Sequence, residues 1–172
     1  MTGWYAGFEI GVFLLLVANA SIFAVRGTAV EGLDSVAWLT LLVLFELETA
    51  HVRILSSRRA LNVVHAIRMI AGAAVVAAAV GYVIDDDWLD AANAWLWLGV
   101  VVLLELKIRF VSRLARHRIV LESTAVACYL GLAAFAILWA WRGEWFDAYD
   151  AALWLVAFAT IEMNVFRPLL RA

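Results

Sequence analysis

Apolar runs of membrane-spanning length, parted by short charged breaks, fill the chain. They fall at 4–25, 36–55, 60–84, 88–111, 119–141 and 151–170. A helix needs roughly 20 apolar residues to cross a bilayer, so the pattern predicts six transmembrane helices. Breaks this short join antiparallel neighbours. The expected fold is an all-α integral membrane bundle, one transmembrane domain over 1–172. The first run ends in Ala18-x-Ala20, as a signal-peptide cleavage site does. Its leader has no Lys or Arg and carries Glu9, so a retained helix is expected instead.

A second pattern lies over the first. Segments 34–48, 93–107 and 150–164 align without a gap. Each opens on Asp34, Asn93 or Asp150, and a Trp-Leu pair follows at Trp38-Leu39, Trp97-Leu98 or Trp154-Leu155. Glu46, Glu105 and Glu162 stand at one common place near the end of each segment. Glu31, Asp90 and Asp147 precede the three heads at equal spacing. Self-similarity at a fixed period marks a repeat architecture. The units run approximately over 1–57, 58–116 and 117–172, each a helical hairpin whose returning helix carries the repeated segment. All three point the same way, so they should relate by an axis along the membrane normal. The expected arrangement is a pseudo-threefold bundle of three hairpins.

Composition strengthens the membrane reading. Of 172 residues, 66% are hydrophobic, and the mean hydropathy is +0.93. Soluble domains run at about 45–50% apolar, so the lipid bilayer is the expected solvent. A net charge of -2 argues against a nucleic-acid partner. The single Cys128 can form no internal disulfide and no metal pair.

Charge sets an orientation. Arg53, Arg58, Arg59, Arg109, Arg113, Arg116, Arg118, Arg167 and Arg171 gather at one set of helix ends. The other ends hold Arg26 and Arg142 among many acids, Asp85-Asp86-Asp87 included. Basic residues stay on the cytoplasmic side. A multi-pass protein of the cell (inner) membrane, with both termini cytoplasmic, is therefore expected. Trp38, Trp97 and Trp154, with Trp88, Trp139, Trp141 and Trp145, are expected in an outer aromatic belt. The acids at the head of each repeat are expected to cap the returning helices. The Ala- and Gly-rich stretch 71–81 should let helices approach closely. Its helix is expected to be crowded on more than one face.

Glu46, Glu105 and Glu162 are the candidate ion or proton site. An ionisable residue within a span is costly and points to function by default. Each lies about 18 Å from its polar head at 1.5 Å per residue, in the cytoplasmic half of the membrane. If the three converge, the cluster must hold protons or bind a cation. Oxygen ligands alone would suit Ca²⁺ or Mg²⁺, whereas His51 or His65 would shift the preference towards a transition metal. No usual ligand spacing is present, so the identity of any metal is left open. Arg68, within the third helix, is the expected countercharge or gate.

Two functions follow. One is a small channel or transporter for a cation or proton, working through the intramembrane glutamates. The other is a non-catalytic membrane scaffold or accessory subunit, in which the same Glu pair with Arg53, Arg68, Arg109 and Arg167 and with Glu9 and Glu122 nearby. In either case the protein partner would be a further copy of the chain or another membrane subunit. An enzyme is not expected: no nucleophile elbow and no Gly-rich phosphate loop occur. His51, His65 and His117 lie too shallow for a haem pair, and no cofactor is expected.

Overall fold

A computed structural model of the chain describes residues 3–50, 57–109 and 117–166; the side chains of 3–6, 48–50, 108, 109, 118 and 162–166 stand outside that description. Among the described residues there are six helices and no strand. They are α1 (Gly3–Arg26), α2 (Ala29–Ala50), α3 (Arg58–Ile84), α4 (Trp88–Arg109), α5 (Arg118–Arg142) and α6 (Trp145–Phe166). Four are long and apolar enough to cross a membrane, over Gly7–Arg26, Arg58–Ile84, Trp88–Lys107 and Ile119–Arg142. The other two, α2 and α6, each carry acids in their opening turns, at Glu31 and Asp34 and at Asp147 and Asp150.

Those acids also explain where the expected helix starts fall short. Hydropathy places the second and sixth runs at 36 and 151. The helices begin at Ala29 and Trp145, before the acids rather than after them. The consequence is a common register. α2, α4 and α6 are each 22 residues long. Asp34, Asn93 and Asp150 take the same position in them, as do Trp38, Trp97 and Trp154.

Two of the turns that lead into these helices share their geometry. After α3, Asp86 takes φ 59° and the Asp87 N–H donates to the Tyr82 carbonyl at 2.9 Å. After α5, Gly143 takes φ 83° and the Glu144 N–H donates to the Trp139 carbonyl at 2.9 Å. A left-handed residue there lets the next N–H reach back to an open carbonyl. The first turn, Gly27-Thr28, is closed by the Gly27 N–H on the Phe23 carbonyl.

The helices gather into two compact units, Val17–Ala91 and Met1–Leu16 with Ala92–Ala172. In the first, α2 packs along α3. A Cβ on Gly81, near the end of α3, would come within 3.0 Å of Val30, near the start of α2, so the two helices run antiparallel. The buried face of α3 is Ala71, Val75, Ala78, Ala79 and Tyr82. Ala73 and Ala77 are exposed, and a Cβ on Gly72 would touch nothing. Within the chain, the small residues of this helix therefore serve one tight face, and a second crowded face would have to be made by another protomer. In the second unit α5 packs along α6. Gly131 of α5 lies against Leu96 of α4, and Gly99 of α4 against Cys128 of α5. Leu132 and Val100 are almost fully buried there. Trp97 and Phe158 join α4 to α6, with ring centroids 4.7 Å apart.

Two predictions follow from these contacts. Asp86→Gly should raise stability in detergent and Gly143→Ala should lower it, each by about 1 kcal/mol, the scale of the left-handed penalty, with the melting temperature moving in the same direction. Opposite signs are the outcome to look for. Gly81→Leu should destabilise by about 1–3 kcal/mol through overpacking against Val30, whereas Gly72→Ala should be neutral or slightly stabilising. Equal effects at Gly81 and Gly72 would contradict the α2–α3 contact.

Candidate functional site

The repeated polar residues lie at the two ends of α2, α4 and α6, and the two ends differ. At the head end, capping falls three residues earlier than the sequence pattern suggests. The Thr28 hydroxyl accepts from the Glu31 N–H at 3.2 Å, and the Glu31 carboxylate accepts from the Thr28 N–H. This is a reciprocal capping box. In α4, Asp87 accepts from the Asp90 N–H at 3.3 Å. Glu31 and Asp90 thus sit in capped first turns, where a negative charge also suits the helix dipole. Asp34, Asn93 and Asp150 stand a further turn inside. They are therefore not caps, which corrects the expectation for the heads. The turn residue Asp87 has become a cap.

Placed that deep, the heads are half-buried. Asp34 Oδ1 and Asn93 Oδ1 are shut off from solvent. In the unit Val17–Ala91, Tyr82 of α3 is only 8% exposed. Its hydroxyl lies within electrostatic reach of Asp34, Asp90, Glu31 and Asp87. Sequence reasoning did not single out Tyr82. The available signal was its place beside Gly81, just ahead of the acidic turn. Among the described residues, no group of three or more His, Cys, Asp or Glu could hold a metal ion.

Next to the heads, the tryptophans divide. Trp38 and Trp97 are 8% and 6% exposed, and Trp139 is buried as well. These are packing residues, not belt residues. Trp88, Trp141 and Trp145, at 63%, 86% and 71% exposed, have the exposure a belt requires. The difference is angular: an indole faces its own bundle or the surroundings according to its place round the helix.

At the other end, Glu46 and Glu105 are exposed on the surface of the chain. Both interact with other groups. Glu46 belongs to the unit Val17–Ala91, whereas Glu105 and Glu162 belong to the other unit. The Glu162 side chain lies outside the described residues. Arg68 is half-buried on α3 and has interactions of its own, and Glu9 is half-buried on α1. Glu122, His65 and His117 are exposed. Arg53, Arg113, Arg116, Arg167, Arg171 and His51 lie outside the described residues, as does the side chain of Arg109.

No protein-family model, no curated protein and no solved structure matches the chain.

The caps can be tested directly. Thr28→Ala and Asp87→Ala should each lower stability by about 0.5–2 kcal/mol, while Asp87→Asn should keep most of it, since Asn caps about as well as Asp. Thermal melts in detergent report the order. An Asp87→Asn loss as large as that of Asp87→Ala would point to the charge of Asp87 rather than to its hydrogen bond.

Proposed function

We propose that the chain is a multi-pass membrane protein of three repeated hairpins that acts as a non-catalytic scaffold or accessory subunit. The observation that carries this reading is where the repeated carboxylates stand. Glu31 and Asp90 occupy capped first turns, and Glu46 and Glu105 are exposed. Duplication copies helix-forming and packing residues as readily as it copies a binding site. The repeat is supported by the common length and register of α2, α4 and α6. The membrane setting is supported by four apolar helices of spanning length. Glu46 stands about 26 Å along its helix at 1.5 Å per residue. That is close to the far side of a hydrocarbon core about 30 Å thick, where a long side chain can reach water or headgroups.

Conduction of a cation or proton is the second reading. It is favoured by the concentration of carboxylates at one end, where Asp34, Asp90, Glu31 and Asp87 all lie within electrostatic reach of Tyr82. A cation drawn to that end would pass the first-turn acids, then Asp34, and would still have to reach the level of Glu46, Glu105 and Glu162.

Liposome flux measurements separate the two. The scaffold reading expects no cation or proton flux through the parent protein under a gradient. It also expects Glu46→Gln and Glu105→Gln to change the melting temperature by a few degrees at most, as exposed ion pairs are worth about 0–1 kcal/mol. Flux in the parent that is abolished by Asp34→Asn, Glu46→Gln, Glu105→Gln or Glu162→Gln, with folding intact, would overturn it.

The orientation is open to labelling. In a Cys128→Ala background, an impermeant thiol reagent added outside should modify Asp86→Cys and Glu144→Cys and spare Ser57→Cys. This follows from the arginine distribution. Modification of Ser57→Cys alone would reverse the topology.

A further inference from the structure

We draw no further inference here: the strongest candidate, the small-residue face of α1 at Gly7 and Gly11, where an added Cβ would meet nothing, carries no docking proposal because nothing in the structure shows what covers it.

Discussion

The first turns of α2, α4 and α6 set the positions of everything that follows them. A helix start leaves backbone N–H groups without intrahelical partners, and a capping side chain accepts from one of them. Thr28 and Asp87 supply it for α2 and α4. Once that turn is placed, the rest of the helix is in register: the polar head one turn deeper, the tryptophan a turn below it, the glutamate near the far end. The turns after α3 and α5, with Asp86 and Gly143 left-handed, lead into α4 and α6 with the same local backbone geometry.

Packing between the helices obeys a second constraint. In lipid, apolar side chains gain little by leaving the solvent, so association depends on close contact. Contacts at glycine, the kind such a setting would favour, fall at Gly81 on Val30, Gly131 on Leu96 and Gly99 on Cys128. At Gly81 and Gly131 the missing Cβ lets a neighbouring side chain reach the backbone, whereas at Gly99 the contact is an ordinary one. The wide apolar exposure elsewhere, at Ile10, Leu14, Met69, Ile70 and Val126, is what a bilayer would cover.

Hydropathy made most of the fold legible. The runs at 88 and 119 start within a residue of α4 and α5. It failed at α2 and α6 because a scale of transfer energies counts Glu31, Asp34, Asp147 and Asp150 as outside a helix. Hydrogen bonding counts Glu31 as part of a first turn. The repeated motif was visible, yet its cap was not: the capping residues Thr28 and Asp87 are different residue types at one position. The burial of Trp38 and Trp97 was hidden because periodicity cannot tell a lipid-facing side of a spanning helix from a buried one. Tyr82 escaped notice because its surroundings come from three helices, and only folding brings them together.

The two polar ends of each repeat are also poorly placed to work as one path. Asp34 and Glu46 are separated by twelve residues, which is about 120° round a helix of 3.6 residues per turn. The positions that continue below Asp34 on its own face are Ala37, Trp38, Leu41 and Phe45. Below Asn93 they are Leu96, Trp97, Val100 and Leu104, and below Asp150 they are Leu153, Trp154, Ala157 and Ile161. The one polar group on each of these faces is a tryptophan indole N–H, which donates but can neither take up a proton nor ligate a cation, so no acceptor stands there over about 18 Å. A proton or a desolvated cation cannot cross that distance without acceptors, since each unsolvated charge costs several kcal/mol in such surroundings. A conducting route along the face of a single returning helix would thus need water or polar groups from elsewhere. Caps at one end and surface carboxylates at the other need no such connection, which favours the structural reading of the repeat.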